Sequence, residues 1–224
     1  MDKVLITGSK GVLGMLLRKG LPHDTTDFDL PEHNAEKYEH LYGRAKGHST
    51  IIHLAWDFEG DGWLGENLNP RNTQISFNVF QAAVDAGVKR VIVASSVHAD
   101  KFAGRNISAA DGLLHPYDLP VPDSPYGASK CFAEALGRYY ADAKGLEVVC
   151  VRLGGVNKDD VPPAFPYSER QVWCSQRDCL GLIKKCLEAE SVPNNYAIVY
   201  GVSDNKDRLH DLSNPFGWQP QDGA

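Results

Sequence analysis

Lys3-Val-Leu-Ile-Thr-Gly-Ser-Lys-Gly-Val-Leu-Gly14 is the stretch of sequence that decides the fold. Its first five residues form a short apolar run, which is typical of a buried strand. Gly8, Gly11 and Gly14 follow, and an apolar helical pattern begins among them. In such a turn the first glycine bends the chain out of the strand, the second lets backbone approach a pyrophosphate, and the third brings helix close to sheet. The helix N-terminus then offers N–H groups to the phosphate charge.

The rest of the chain continues this alternation of strand and helix. Apolar runs predict further strands at 51–55, 88–94, 146–153 and 196–200, and a second short strand is expected near 23–29. Helical spacing predicts helices at 35–42, 72–86 and 124–144 and a last helix that begins at Ser175. Strands that alternate with helices indicate a parallel sheet covered on both faces. We therefore predict an α/β fold, a Rossmann-type doubly wound parallel sheet with a small C-terminal substrate-binding appendage. We expect one domain over 1–224, with substrate-binding elements mainly in 99–123 and 155–224, since so long a loop as 99–123 is usually functional.

Composition excludes several classes of protein. The 224 residues carry 23 Lys and Arg against 29 Asp and Glu, a net charge of −6, which argues against a nucleic-acid or anionic-membrane surface. No apolar run approaches the roughly 20 residues of a membrane span, and the N-terminus shows no signal-peptide pattern. Five cysteines without a C-x-x-C pair argue against a disulfide scaffold and a zinc site. We expect reduced thiols, a cytoplasmic location and no metal.

The glycine turn predicts a dinucleotide cofactor. An acidic residue about 20 positions further on commonly holds the adenine ribose, and Asp27 and Asp29 lie 19 and 21 residues after Gly8. Their alternative role is that of two solvated loop carboxylates. No arginine follows them to receive a 2′-phosphate, which favours NAD, whereas Lys10 could pair with that phosphate and leaves NADP open. The candidate contacts within the turn are Gly8, Ser9, Lys10, Gly11, Val12, Leu13 and Gly14.

A tyrosine, a lysine and a serine are the candidate catalytic residues. Tyr126 and Lys130 lie four residues apart at the start of a helix that Ser124-Pro125 caps, so they share one face. An ammonium beside the phenol, with a nicotinamide cation nearby, would lower the phenol's pKa and make it a proton acceptor. Ser96 ends a predicted strand, where its hydroxyl could orient the substrate oxygen. A lone Y-x-x-x-K pair is more often a solvated helical face, but here it accompanies the glycine turn and the serine.

Thr7–Gly14, Ser95-Ser96 and Tyr126-Gly-Ala-Ser-Lys130 resemble the extended short-chain dehydrogenase/reductase family, the NAD-dependent epimerase/dehydratase group. Asp29-Leu30 is similar to that family's Asp-Leu cofactor contact, and Asn72 to an asparagine before a comparable helix. The region 21–50 is shorter than is usual there. The further candidate cofactor contacts are Leu30, Leu54, Ala55, Asn72, Ser95 and Lys130.

Uronate dehydrogenases look closest within this group, through similar segments at Tyr126–Glu134, Val199–Ser203 and Asn214–Pro220. The resemblance implies oxidation of the anomeric carbon of a free hexuronate to an aldarolactone with NAD. It also implies a homodimer in which the helices at 72–86 and 124–144 pair across a two-fold axis. The apolar side chains on the second of these helices supply either that contact or core: Phe132, Leu136, Tyr139 and Tyr140.

Departures from the family pattern concern the substrate. Where the family has Ser-Asn-His, this sequence has Ser96-Val97-His98. Gly155 takes the place of a family serine. Ser168 takes the place of the uronate-binding arginine, and Arg170 follows two residues later. His98 is either a substrate donor or a satisfied loop histidine. The candidate substrate contacts are Ser96, Val97, His98, Tyr126, Gly155 and Arg170.

Three functions compete on these residues. The first is an NAD-dependent oxidoreductase that takes hydride from a free uronate, aldose or sugar phosphate. The second is a nucleotide-sugar epimerase or dehydratase. Only about 70 residues follow the strand at 146–153, which is little to hold a nucleotide and argues against this function. The third is a non-catalytic dinucleotide sensor, a class that usually lacks the Tyr or the Lys.

Overall fold

Six parallel strands form the central sheet in the computed structural model, which describes residues 3–58, 67–100 and 112–224. The strands are β1 (Lys3–Thr7), β2 (Asp24–Phe28), β3 (Thr50–His53), β4 (Arg90–Ser96), β5 (Glu147–Leu153) and β6 (Tyr196–Gly201). The helices are α1 (Val12–Gly20), α2 (Tyr38–Ala45), α3 (Arg71–Asp85), α4 (Pro125–Lys144), α5 (Tyr167–Gln171) and α6 (Gln176–Glu188). The predicted Rossmann-type α/β fold is confirmed.

The strand order is β2-β1-β3-β4-β5-β6. In the six-stranded order 3-2-1-4-5-6, a further strand lies outside the second one. Here no described strand lies outside β2, which agrees with the short region 21–50. The order reverses between β1 and β3, and the glycine turn follows β1 at that point. In open α/β sheets, ligands bind at such a reversal, outside the carboxyl ends of the strands.

Helices cover both faces of the sheet. α1 and α6 contribute Leu17 and Leu182 to one apolar core, and α3 and α4 contribute Val79 and Ala133 to the other. Cys179 and Cys186 are buried on α6, and all five cysteines are free thiols. No helix in the described ranges is long and apolar enough to cross a bilayer.

Two elements differ from the prediction. The helix expected at 35–42 begins only at Tyr38, because the Asn78 amide takes up the carbonyl groups of Ala35 and Glu36, at 3.1 and 2.9 Å, and holds that segment out of the helix. The short helix α5 was not predicted, because five residues are too few for a periodic signal.

The C-terminal segment after Asp204 packs against the body of the sheet. Phe216 and Trp218 lie in the core beside α6. The buried Asp178 carboxylate accepts hydrogen bonds from the backbone N–H groups of Gln221 and Asp222, at 2.7 and 3.1 Å. These bonds hold the end of the chain at the first turn of α6.

Candidate active site

The three glycines of the turn meet different surroundings. Gly8 has a left-handed backbone, with φ of +72°, and a Cβ there would lie 2.7 Å from the Ala55 nitrogen. A Cβ on Gly14 would overlap with the turn itself. At Gly11 the nearest described atom is the Gly8 carbonyl oxygen, 3.4 Å away, in ordinary contact. The space beside Gly11 is therefore open, as the approach of a pyrophosphate requires.

The first turn of α1 is prepared for an anion. It has no acidic residue and no side-chain cap, and its first backbone bond runs from Met15 N–H to the Gly11 carbonyl, 2.9 Å. Its leading N–H groups therefore have no partner within the helix. The Ser9 hydroxyl is also buried without a hydrogen-bond partner among the described residues. The turn from Gly8 to Gly14 thus fits the pyrophosphate of a dinucleotide.

Asp29 and Asp27, the two candidate ribose ligands, are placed differently. Asp29 follows β2 directly, and its carboxylate accepts from the N–H groups of Lys10 and Leu30, both at 2.7 Å, so it lies beside the glycine turn. Asp27 instead pairs with Arg18 on α1, at 2.6 Å. This geometry favours Asp29 over Asp27 as the ribose ligand.

Lys10 is already paired. Its Nζ lies 2.7 Å from the Glu32 carboxylate and donates to the Leu30 carbonyl at 2.6 Å. A 2′-phosphate would have to compete with Glu32 for this ammonium, which weakens the argument for NADP.

The loop after β3 borders the same space. The Thr7 hydroxyl accepts from the N–H groups of Leu54 and Ala55, at 3.2 and 3.3 Å. Asn72, in the first turn of α3, uses both ends of its amide on the Asp57 backbone, at 2.8 and 2.9 Å. Asn72 therefore holds this loop in place, and its predicted contact with the cofactor stays a prediction.

Ser96, Tyr126 and Lys130 come together where β4 ends. Ser124 caps α4 by accepting from Gly127 N–H at 3.1 Å, and this cap sets the direction of the first turn. The Ser96 hydroxyl lies near enough to the Tyr126 phenol to act on its pKa. Lys130 Nζ lies 5.5 Å from the centre of the Tyr126 ring and donates to the Ala94 carbonyl at 2.8 Å. The three candidate catalytic residues thus form one cluster.

Burial determines the pKa values of this cluster in the protein without cofactor. Burial raises the pKa of Tyr126 to about 12, and the Ser96 hydroxyl opposes that rise. Burial lowers the pKa of Lys130 to about 7, against the charge of Glu134. The expected lowering of the phenol pKa concerns Lys130 together with a nicotinamide cation, and it stays a prediction. A further positive charge, as a bound nicotinamide cation would bring, has to stabilise the phenolate.

Two aromatic residues at this site were missed by the sequence analysis. The rings of Trp56 and Phe58 lie 6.1 Å from that of Tyr126, and the indole covers the Lys130 ammonium at 3.3 Å. Aromatic side chains immediately after the buried run at 51–55 were the available signal, because the ends of parallel strands line the ligand site.

The structure places His98 and Val97, two predicted substrate contacts, in different surroundings. His98 Nδ1 lies 2.9 Å from the Asp123 carboxylate, and its ring is 5.7 Å from that of Tyr126. It is thus a paired histidine at the edge of the catalytic cluster. Val97, predicted to contact substrate, is 2% exposed in the core, because the short turn after β4 points its side chain inward. Its predicted contact with substrate stays a prediction.

Gly155 and Arg170 lie on connected segments. Gly155 pairs with Trp173, and the Arg170 carbonyl accepts from Trp173 N–H at 3.3 Å, so α5 is tied to the end of β5. A Cβ on Gly155 would meet nothing within 4 Å. Both residues thus lie near the sheet edge that carries Ser96, and their contact with substrate stays a prediction. The described residues contain no cluster of side chains that could hold a metal ion.

Comparison with known proteins agrees with this geometry. The family model for the NAD dependent epimerase/dehydratase family matches residues 4–156. The chain is 30% identical to L-arabinose 1-dehydrogenase (NAD(P)(+)) of Haloferax volcanii, over 100% of this chain and 98% of the relative. It is 33% identical to NAD-dependent glucose-6-phosphate dehydrogenase of the same organism, over 80% and 70% of the two chains. The crystal structure of uronate dehydrogenase from Agrobacterium tumefaciens superposes with a TM-score of 0.82 at 26% identity, over 100% and 85%.

Proposed function

The chain belongs to the NAD-dependent epimerase/dehydratase family, and from that premise we propose that it is an NAD-dependent dehydrogenase of a free sugar: a uronate, an aldose or a sugar phosphate. The observation that carries the proposal is the cluster of Ser96, Tyr126 and Lys130 beside an open glycine turn. The dehydrogenases of arabinose, glucose 6-phosphate and uronate among its relatives support a sugar substrate.

The turn Gly8–Gly14 and the first turn of α1 would hold the pyrophosphate of NAD, Asp29 the adenine ribose and Lys130 the nicotinamide ribose. When bound, NAD supplies the hydride acceptor and a positive charge. The Glu32 pairing of Lys10 supports NAD over NADP, because that ammonium is already neutralised.

In this mechanism the protein moves one proton. Ser96 holds the sugar oxygen within reach of the Tyr126 oxygen, since its hydroxyl lies near the phenol. Tyr126 takes the proton of the sugar hydroxyl as the carbon gives up hydride. Lys130 supplies positive charge beside the phenolate, and the rings of Trp56 and Phe58 lie beside that of Tyr126.

The same cluster could serve a nucleotide-sugar epimerase, and one experiment separates the two functions. NAD is supplied in excess with free uronates, aldoses, sugar phosphates or nucleotide sugars, and the absorbance of NADH is followed. A dehydrogenase accumulates NADH in proportion to a free sugar, and Tyr126→Phe abolishes the signal. Turnover of a nucleotide sugar without net NADH would instead identify an epimerase.

The assembly and location that we propose rest on exposed side chains and thiols. Phe132 and Tyr139 on α4 are 42% and 55% exposed, and Phe77 on α3 is 45% exposed, which supports a homodimer through these helices. Tyr140, one of the candidate interface residues, is 1% exposed and belongs to the core.

Five free thiols support a cytoplasmic protein. We also propose that residues 1–224 form one domain.

A further inference from the structure

A cluster of buried charges lies beneath α4, next to the catalytic residues. Arg152 on β5 is 0% exposed, and its guanidinium donates to both Glu134 oxygens, at 2.9 and 2.8 Å. It also pairs with Asp100, which accepts a further bond from the Tyr200 phenol. The Ser95 hydroxyl donates to Glu134 at 2.5 Å. We call these five residues the Arg152 cluster.

The Arg152 cluster carries more negative than positive charge. Glu134 and Asp100 bring two carboxylates against one guanidinium, and a buried charge without a partner costs several kcal/mol. Lys130 lies one helical turn before Glu134 on the same face of α4 and is 4% exposed. Its ammonium brings the buried charges to two of each sign, so the Arg152 cluster and the catalytic lysine form one balanced set.

Glu134 is the carboxylate among the described residues whose charge acts on Lys130. The other groups that face this ammonium are neutral: the Ala94 carbonyl, the rings of Trp56 and Tyr126, and the imidazole of His53 on β3. Burial lowers the pKa of Lys130 to about 7, and Glu134 opposes that effect.

We propose that Glu134 is a positioning residue for the reaction: it keeps Lys130 in its ammonium form and, through Ser95, fixes the end of β4 that carries Ser96. The inference rests on the proposed function, since it assigns Glu134 a role toward the lysine of that reaction. Glu134 acts through Lys130 and through Ser95 rather than by contact with substrate or cofactor.

The test measures the pKa of Lys130 directly in the protein without cofactor. Lysine side chains are labelled with ¹³C and titrated by NMR, and the Lys130 signal is assigned by its absence in Lys130→Met. Glu134→Gln should lower the pKa of Lys130 by about one pH unit or more, as loss of an opposite charge one turn away does. Asp100→Asn is the matched control, because it takes a carboxylate from the same guanidinium without facing Lys130. It should leave that pKa in place.

Activity gives a second readout. A fall of the pKa from about 7 to about 6 would reduce the ammonium fraction at pH 7 from one half to about one tenth, so the turnover of Glu134→Gln should fall about fivefold. Glu134→Asp keeps the charge and should restore both the pKa and turnover. If Glu134→Gln does not fold, the variant Glu134→Gln/Asp100→Asn/Arg152→Met replaces the charges as a unit, an exchange that proteins often tolerate. It should show the same fall in the Lys130 pKa.

An unchanged Lys130 pKa in folded Glu134→Gln, or an equal fall in Asp100→Asn, would overturn the inference. Wild-type protein that forms no NADH with any sugar would contradict the proposed function instead. The titration of Lys130 needs neither cofactor nor substrate, so the two failures remain distinct.

Discussion

A Cβ placed on Gly14 would overlap with the carbonyl oxygen of Gly8. Close packing inside the protein therefore requires the glycine at 14, and the positive φ of Gly8 requires the one at 8. No atom of the described residues requires the glycine at 11, where a Cβ would make only an ordinary contact. We therefore expect the pyrophosphate of the cofactor to approach the turn beside Gly11.

Gly11→Val should therefore fold as the wild type does and lose NAD. Its branched side chain would occupy the space that the pyrophosphate needs. At a concentration of 100 times its dissociation constant, NAD should stabilise the wild type by about 2.7 kcal/mol. In a chain of this size that corresponds to a rise in melting temperature of roughly 5–10 °C. The variant should show no rise in a thermal titration.

Gly14→Val serves as the comparison, because its side chain overlaps with the turn and should lower the melting temperature without any ligand. A folded Gly11→Val protein that binds NAD with unchanged affinity would show that the turn is only structural. Titration with NADP tests Lys10 as well, and tighter binding of NADP than of NAD would contradict the pairing of Lys10 with Glu32 as the reason for NAD preference.

Tyr126→Phe should reduce turnover by about 10²–10⁴-fold, the usual contribution of a general base, or by more. The substitution removes the proton acceptor and hardly changes volume, so the melting temperature and NAD affinity should stay near those of the wild type. Turnover of the wild type should rise with pH as the phenol ionises. Because bound NAD adds a positive charge, this rise should lie below the pKa of about 12 of the protein alone.

The rise with pH should be absent in Tyr126→Phe, and rate measurements between neutral and alkaline pH would show it. Near-normal turnover in the variant would mean that another group is the base. His98 would then be the first candidate, because its ring lies 5.7 Å from that of Tyr126.

His53 should make stability depend on pH in the acid range. Burial lowers its pKa from 6.5 to about 3. The unfolded chain therefore binds a proton between these values that the folded protein does not. Its contribution to stability is complete above pH 6.5 and is lost as the pH falls towards 3. At pH 4.5 the loss should be about 2–3 kcal/mol.

Urea unfolding of wild type and His53→Asn at pH 7 and pH 4.5 measures this contribution, since the other titrating groups are common to both proteins. The wild type should lose more stability than the variant does. An equal loss in the two would show that His53 carries no such linkage.

Local signals predicted the parts of the fold that local interactions determine. Ser124-Pro125 and Ser175 begin helices in the structure as they do in the sequence, because a side-chain cap needs only its own neighbours. The start of α2 was wrong because Asn78, more than 40 positions away, binds the carbonyl groups before it.

The candidate site divides in the same way. Tyr126 and Lys130 were recognisable from helical spacing, and Ser96 from the end of a strand. The pairing of His98 with Asp123 joins residues 25 positions apart, and the place of Trp56 depends on a loop that Asn72 holds. Such contacts form only when the sheet brings distant segments together, so the periodicity of the sequence could not predict them.

Phe132→Glu should convert the proposed homodimer into a monomer. Phe132 is 42% exposed on α4, and in the proposed interface it would face its partner, where a carboxylate would be buried without a counter-charge. Val161→Glu is the matched control, because Val161 is 59% exposed and lies on neither α3 nor α4. Light scattering at micromolar concentration should give twice the chain mass for wild type and Val161→Glu and the single mass for Phe132→Glu. A wild type of single mass would contradict the dimer, and an unchanged mass in Phe132→Glu would place the interface elsewhere.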